Sequence, residues 1–322
     1  MISIELSHFA IPARDQKKRL EWSGVINFLK TEEYAFIKAM PPEEILFSIE
    51  GFDYLNPDGL LWLLLIGEEL KKKGHFLSMK LPRDPHQLEY IKASNFHEVA
   101  LEHFSIVNVY ALDEIKPSKI PEAKRFFKVE VWSLPYLLTT LRKFSASDEF
   151  FKMLGHPYDD IKMEYIPPFL STIEEITKNI VQHSEEKENT GSGYFVMSPY
   201  RKEWLRLCIG DAGRGFYSSL TSKKLKPKSD FEAIKLALLY RYSSPGGEGL
   251  FRVVQFANKL GGTIRISSKE GEAFLNLQVP PFKDDEATKN FIEQNLKEMR
   301  RNYSFPGVQF VIDMKVEEKA HW

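Results

Sequence analysis

The order of the predicted strands and helices changes half-way along the chain, and this change constrains the fold more than any other feature of the sequence. From residue 45 to residue 110, strands and helices alternate. The residues predict a buried strand in ILFSIEGF (45–52), a turn in NPDG (56–59), and a helix over 60–74 that ends at Gly74. This alternation favours a small α/β domain.

The second half of the chain places its helices before most of its strands. Helical patterns lie around 132–153 and 168–184, and four strand patterns follow them. A further helix over 285–301 and a last strand, VQFVIDMKV (308–316), complete the pattern. Helices followed by a sheet predict an α+β sandwich, with helices on one face of a mixed sheet.

A charged, proline-bearing segment, DEIKPSKIPEAKR (113–125), separates the two patterns and is typical of a linker. We therefore predict two domains, one over residues 1–118 and one over residues 119–322. The fold class expected is α/β for the first domain and α+β for the second.

Charge and composition narrow the classes of partner. The chain carries 44 basic and 45 acidic residues, so its net charge of -1 gives no reason to expect nucleic acid or an anionic membrane as a partner. A single cysteine, Cys208, excludes an internal disulfide framework. The apolar run at 59–67 is too short to span a bilayer, and the first residues do not resemble a secretion signal. We expect a cytoplasmic protein.

One predicted helix carries two different stripes. STIE at Ser171 has the pattern of a capping box, which predicts that the helix starts there. Four apolar residues cluster on one side of this helix, and three polar residues follow one another at four-residue intervals on a neighbouring side. A ligand-facing helix has this layout, but so does a solvated amphipathic helix. The apolar residues are Phe169, Ile173, Ile176 and Ile180, and the polar ones are Glu175, Asn179 and His183.

Two downstream segments favour the ligand-facing interpretation. In CIGDAGRGF (208–216), Asp211 ends a predicted strand and precedes Gly213 and Gly215. A carboxylate there can accept hydrogen bonds from an amine, and the glycines allow a ligand to approach the backbone closely. In PGGEGLF (245–251), a glycine-rich turn runs directly into a helix, and amides at a helix N-terminus bind phosphate.

In their order and spacing, these three segments resemble the nucleotide site of the superfamily of gyrases, heat-shock chaperones, histidine kinases and mismatch-repair ATPases (GHKL). Glu175, Asn179 and His183 resemble its N box, and the segment from Asp211 to Gly215 resembles its G1 box. Gly247, Gly249 and Leu250 resemble its G2 box. The resemblance covers roughly residues 165–281.

The resemblance implies ATP and Mg²⁺ as ligands and assigns the site residues. Asn179 would coordinate the Mg²⁺ that bridges the phosphates, Glu175 would be the general base, and Asp211 would bind the adenine amino group. The segment 217–246 would form a lid over the nucleotide. The glycines Gly213 and Gly215 would shape the base pocket, and Gly247, Gly249 and Leu250 would offer amides to the phosphates.

The sequence also departs from the family pattern. Many relatives have a threonine near the adenine, after the glycine of a late strand, where this chain has Glu272 and Ala273. No His-Glu-x-x-x-Pro phosphoacceptor helix precedes the domain, which disfavours a self-phosphorylating sensor kinase.

Residues 30–110 resemble, less specifically, a STAS domain (sulfate transporter and anti-sigma antagonist), on the segment FDYLNPDGLLWLLLIGEELKKKG. In antagonist relatives a serine just before the helix glycine is phosphorylated by a GHKL kinase. Here that place is taken by Asp58, for which a helix N-cap is the simpler interpretation.

Together the resemblances imply a regulatory protein that binds Mg-ATP and controls a protein partner by hydrolysis or by a conformational switch. The presence of Glu175 favours enzymatic activity. Two alternatives stay open: an anti-sigma-type serine/threonine protein kinase that acts on a separate substrate, and an ATP-binding scaffold without turnover. A homodimer is compatible with either.

Overall fold

The structure is a computed structural model in which the chain forms two compact units, Met1–Phe127 and Lys128–Trp322. Among the described residues, no helix combines the length and apolar composition needed to cross a bilayer. The residues described are 1–10, 16–115, 125–129, 134–145, 166–183, 193–199, 204–222, 225–239, 249–299 and 304–315.

The boundary between the units lies after Phe127, whereas the sequence predicted it after residue 118. Phe126 explains the later boundary, because it is buried and its ring packs 5.3 Å from the ring of Phe96. Its backbone N–H donates to the carbonyl of Ser94 at 2.7 Å. Most of the predicted linker lies outside the described residues.

The N-terminal unit contains a parallel four-stranded sheet in the order β1-β3-β5-β6, as well as a short β2-β4 pair. Parallel neighbours need a crossover connection, and the predicted alternation of strands and helices supplies one after each strand. The predicted α/β class is therefore confirmed. The strands are β1 (Ile2–Glu5), β2 (Arg19–Leu20), β3 (Glu44–Ser48), β4 (Tyr54–Leu55), β5 (Phe76–Lys80) and β6 (Phe104–Ile106).

The third helix of this unit, α3, is almost entirely buried and begins earlier than predicted. Asn56 is its N-cap and Pro57 its first residue, so the predicted turn at 56–59 is wrong. Proline suits the first helical position because the N–H that it lacks would have no partner there. The helices are α1 (Trp22–Leu29), α2 (Glu32–Ala39), α3 (Pro57–Lys72), α4 (Pro85–Ala93), α5 (Phe96–Ala100) and α6 (Tyr110–Asp113), with a 3-10 turn at Leu6–Phe9.

The second sheet has the order β12-β11-β10-β13-β9-β8-β7, so the last strand in sequence lies near its centre. Every pairing whose register is described in this sheet is antiparallel, where the sequence predicted a mixed sheet. Two of the pairs, β8–β9 and β10–β11, are consecutive strands joined by short connections, which antiparallel neighbours allow and parallel neighbours do not. The last strand, β13, lies between β9 and β10 and runs opposite to both. The strands are β7 (Phe127–Val129), β8 (Gly193–Pro199), β9 (Trp204–Asp211), β10 (Thr263–Lys269), β11 (Gly271–Asn276), β12 (Lys297–Glu298) and β13 (Phe305–Lys315).

The helix that carries the two stripes, α8, begins at Ile166 rather than at Ser171. Pro167 and Pro168 occupy its first turn, where backbone N–H groups have no partner inside the helix, so the prolines do not oppose an early start. The described helices of this unit are α7 (Leu134–Ser145), α8 (Ile166–His183), α9 (Gly215–Ser222), α10 (Asp230–Leu239), α11 (Gly249–Lys259) and α12 (Asp285–Asn295).

Strand register fixes which side chains share a face of the second sheet. Phe310 lies opposite Ile209, and Val308 lies opposite Asp211, so these four side chains are on one face. Phe216 of α9 packs edge-on against Phe310, with ring centroids 6.1 Å apart. Four helices neighbour one another in the order α8, α11, α10, α9. The face that bears Asp211 is therefore the face that α9 covers.

Candidate functional site

Asp211 is the last residue of β9, as predicted, and only 4% of its surface is exposed. Its Oδ1 accepts a hydrogen bond of 2.7 Å from the backbone N–H of Gly213. This bond closes a tight turn directly after the strand and holds the carboxylate at the end of the sheet. A buried carboxylate held in this way can meet a hydrogen-bond donor with little further loss of side-chain freedom.

Gly215 starts helix α9 in a left-handed conformation, with a φ of 80°. A Cβ at this position would lie 2.9 Å from both Lys269 Cγ and Ser268 Oγ, so the site requires glycine. The next residue, Phe216, donates its backbone N–H to Ser268 Oγ at 2.9 Å. The loop from Asp211 to Phe216 is thus held against the end of β10.

Helix α8 carries the polar residues that resemble an N box beside a buried apolar stripe. Ile173 and Ile176 are fully buried, while Glu175 is half-buried. Asn179 is only 6% exposed, and its Nδ2 donates to the backbone carbonyl of Glu175 at 2.9 Å. Because the amide nitrogen is used inside the helix, the carbonyl oxygen Oδ1 is the Asn179 atom suited to a cation. The side chains of Phe169, Ile180 and His183 lie outside the described residues.

The G2 segment is described only in part. Gly249 is the first residue of α11 and Leu250 is buried beneath it, so a helix does start where the sequence predicted one. Gly247 lies outside the described residues. The amides of the first turn of a helix have no partners within the helix, which is the property that phosphate binding would use.

The fold brings these elements together although long stretches of chain separate them. Helix α8 packs against α11 and against strands β8 and β9. Helix α11 in turn packs against β10 and β13, and β13 is paired with β9. The N-box helix, the strand that ends at Asp211 and the helix that starts at Gly249 are therefore neighbours within one unit.

The predicted lid is wrong over most of its length. Residues 217–246 contain most of α9 and all of α10, and both helices pack on the sheet. Leu220, Ile234 and Leu238 are buried, and Ser229 Oγ accepts from the N–H of Glu232 at 3.1 Å at the start of α10. The described residues 217–222 and 225–239 are therefore part of the packed layer of helices and do not form an open loop. Residues 223–224 and 240–246 of the predicted lid lie outside the described residues.

The lysine run at 223–228, which lies within the predicted lid, is described only from Leu225 onwards. Lys226 and Lys228 are exposed. The side chains of a charged run are usually solvated, and these two lysines follow that rule.

Residues on two other strands contact the Asp211 loop, and the sequence analysis missed them. They are Ser268 and Lys269 at the end of β10, and Gly307 and Val308 near the start of β13. One signal was available for this group: a glycine inside an otherwise apolar strand often marks a close approach of another backbone.

Asp58 does not cap helix α3, so the N-cap interpretation is wrong. The N-cap is Asn56, and Asp58 lies in the first helical turn with 0% of its surface exposed. The next residue, Gly59, lies against the backbone carbonyl of Leu20, which covers this end of the helix. The position that would hold a phosphorylated serine in STAS antagonists is therefore buried in this protein.

The metal chemistry that the described residues can support is limited. They contain no group of three or more His, Cys, Asp or Glu side chains arranged to hold a metal ion. A metal held partly by a ligand's phosphates needs fewer protein ligands, and one amide oxygen suits Mg²⁺ in that setting.

No family model matches this chain, and no curated protein matches it. The resemblance to GHKL ATPases therefore depends on the three motifs and on the elements that carry them.

Proposed function

We propose that the C-terminal unit binds Mg-ATP and that the protein is regulatory, with nucleotide binding or turnover controlling a protein partner. One observation carries the proposal: α8 packs against both β9, the strand that ends at Asp211, and α11, the helix that begins at Gly249. The side chain of Asp211 points to the sheet face that α9 covers. A carboxylate, an amide oxygen and a helix N-terminus on packed elements of one unit match the three chemical parts of a Mg-nucleotide.

Each residue has a role in this proposal. The Asp211 carboxylate accepts a hydrogen bond from the exocyclic amine of adenine, and the bond from Gly213 fixes its orientation. Asn179 Oδ1 would be the protein ligand to Mg²⁺. Glu175, one helical turn before Asn179, orients water or a substrate hydroxyl and takes its proton. The bound metal supplies charge neutralisation at the phosphates.

Two phosphoryl acceptors suit a general base at Glu175: water and a protein hydroxyl. Hydrolysis makes the protein an ATP-driven switch, and transfer to a protein makes it a serine/threonine kinase. A protein that binds ATP without either reaction is a scaffold. The buried Asp58 disfavours this chain's own N-terminal unit as the substrate of such a kinase.

Calorimetry of ATP binding to Asp211→Asn tests the base-binding role. Loss of a charge-assisted hydrogen bond is expected to weaken ATP binding about 10- to 100-fold. Asp284→Asn is the matched control, because Asp284 Oδ1 also accepts a backbone N–H at 2.7 Å, at the start of α12. Equal ATP affinity in Asp211→Asn and the parent would remove Asp211 from the site.

Turnover with γ-labelled ATP tests the role of Glu175. Glu175→Gln should bind ATP normally and lose about 10²- to 10⁴-fold in rate. Glu174→Gln, the same change at the neighbouring position of the same helix, should keep the parent's rate. Asn179→Ala should instead weaken the Mg²⁺-dependent part of ATP binding. Label recovered as free phosphate identifies an ATPase, label on protein identifies a kinase, and neither product identifies a scaffold.

A further inference from the structure

The C-terminal strand β13 passes directly beside the Asp211 loop. Gly307 has a left-handed backbone with a φ of 69°. A Cβ built on it would collide with the carbonyl oxygen of Asp211 and would lie 2.6 Å from the backbone nitrogen of Gly213. Only glycine therefore lets β13 approach the turn that orients the Asp211 carboxylate.

Strand β10 holds the same loop from another direction. Its register with β13 shifts between Ser268 and Lys269, and Lys269 has a positive φ of 48°. Ser268 Oγ accepts the N–H of Phe216, and the stem of Lys269 fills the space beside Gly215. The loop of six residues that starts at Asp211 is thus held by both β13 and β10.

Left-handed backbone is not itself unusual in this protein, since Gly74 and Gly261 also adopt it. What is particular to this end of the sheet is that three such residues, Gly215, Lys269 and Gly307, meet at one loop. Glycine adopts this conformation readily, but a lysine such as Lys269 does not. Non-glycine residues in such conformations persist where their surroundings determine them, and they cluster at ligand sites.

A row of side chains crosses the sheet at the same level. Val308 lies directly opposite Asp211, and Ser268 lies directly opposite Val308 on the far side. Side chains opposite one another in antiparallel strands have Cβ atoms about 4.5–5.5 Å apart. The residue beside the Asp211 carboxylate is therefore an apolar one supplied by the C-terminal strand.

From these contacts we infer that β13 is part of the nucleotide site. Gly307 and Ser268 are positioning residues that fix the Asp211 carboxylate for the base, and Val308 forms the apolar wall beside it. This inference rests on the proposed function, because it assigns the base-reading geometry of the same site.

The first test compares two nucleotides that differ at the group Asp211 would read. ATP has an exocyclic amine at the base position where inosine triphosphate has an oxygen. Gly307→Ala displaces Asp211, so ATP affinity is expected to fall at least about tenfold, with a smaller loss for inosine triphosphate. The preference for ATP therefore shrinks. In the Asp211→Asn background, Gly307→Ala should leave the ratio of ATP affinity to inosine triphosphate affinity unchanged.

Two controls separate positioning from general damage. Gly74→Ala places alanine at another left-handed glycine, in the N-terminal unit, and should leave the ATP preference intact. Ser268→Ala should reduce the ATP preference, and Ser268→Thr, which keeps the hydroxyl, should restore it. The serine pair keeps the inference testable if Gly307→Ala does not fold.

Amide hydrogen exchange of Gly213 and Phe216 supplies a readout that needs no nucleotide. Both amides should exchange faster in Gly307→Ala and Ser268→Ala than in the parent. An unchanged ATP preference in both variants, with ATP binding retained, would overturn the positioning role. Failure of the parent to bind ATP would overturn the proposed function and the base-reading role together. In that case, the exchange rates alone would test whether β13 and β10 hold the Asp211 loop in place.

Discussion

The two sheets of this protein differ in the sequence separation between strands that pair with each other. In the N-terminal unit, β1, β3, β5 and β6 pair in their order along the chain, with β2 and β4 set apart as a separate pair. In the C-terminal unit, β13 pairs with β9 on one side and with β10 on the other, and the Arg206–Asp313 contact spans 107 residues. The first sheet can form by local steps, whereas the second needs its last strand at its centre. Non-local pairing has a larger loop-closure cost.

The largest expected effect comes from removing β13. A chain that ends after Met299 leaves β9 and β10 without their shared neighbour, so the C-terminal unit should lose its cooperative unfolding transition. The N-terminal unit should keep its own. Amide hydrogen exchange across β3 and across β9 measures the two units separately. A chain that ends after Lys315 is the control, and continued protection of β9 in the shorter chain would contradict the comparison.

A smaller effect is expected from the ion pair that joins β9 to β13. The Arg206 side chain is 9% exposed and makes two bonds to Asp313, with Nε at 2.6 Å from Oδ1 and Nη2 at 2.7 Å from Oδ2. Asp313→Asn should lower the free energy of unfolding of the C-terminal unit by about 1.5–3 kcal/mol, because a charged partner is left poorly paired.

The N-terminal unit offers the contrast for that substitution. Lys38 pairs with Glu69 at 3.1 Å, and both side chains are about one-fifth exposed. Lys38→Gln should therefore change the free energy of unfolding by no more than about 1 kcal/mol. Denaturant titration of both variants measures the difference, and equal losses would remove the distinction between the two pairs.

The last effect is absent at neutral pH, because it is confined to alkaline pH and to the N-terminal unit. Burial, followed by the nearby Glu69 carboxylate, raises the pKa of Tyr34 well above its ordinary value of 10.0. Because the folded state keeps the phenol protonated, this contribution is complete below pH 10 and is lost as the pH rises through the raised pKa. The free energy of unfolding of the parent should fall with pH above 10 by up to about 1.4 kcal/mol per pH unit more than that of Tyr34→Phe. Parallel curves for the two proteins would contradict the prediction.

Local sequence signals predicted the elements better than their ends. The apolar run at 60–72 and the glycine after it indicated helix α3, which the structure contains. Its start was missed because Asn56-Pro57-Asp58-Gly59 has the composition of a turn as well as of a helix N-terminus. The contact between Gly59 and the Leu20 backbone favours the helix, and that contact lies outside any local window.

Part of the candidate site could also be predicted, because local sequence patterns indicated it. A carboxylate at a strand end and a helix that starts after glycines are local patterns, and both Asp211 and Gly249 lie where the patterns indicated. The position of β13 could not be predicted, because its two partners lie far apart in the sequence and its register depends on packing in three dimensions. The lid was misread because the apolar residues of α9 and α10 are interrupted by the polar run 221–230.

The position of β13 also gives the C-terminal unit an order of assembly in time. During synthesis the N-terminal unit leaves the ribosome first and already contains every strand of its sheet. The helices α8 and α11 and the end of β9 emerge later, but the gap between β9 and β10 stays open until residue 315 has emerged. A nascent chain therefore has one unit with a complete sheet and one whose sheet still lacks its central strand. The contacts of Gly307 and Val308 with the Asp211 loop therefore form only after the last strand has been synthesised.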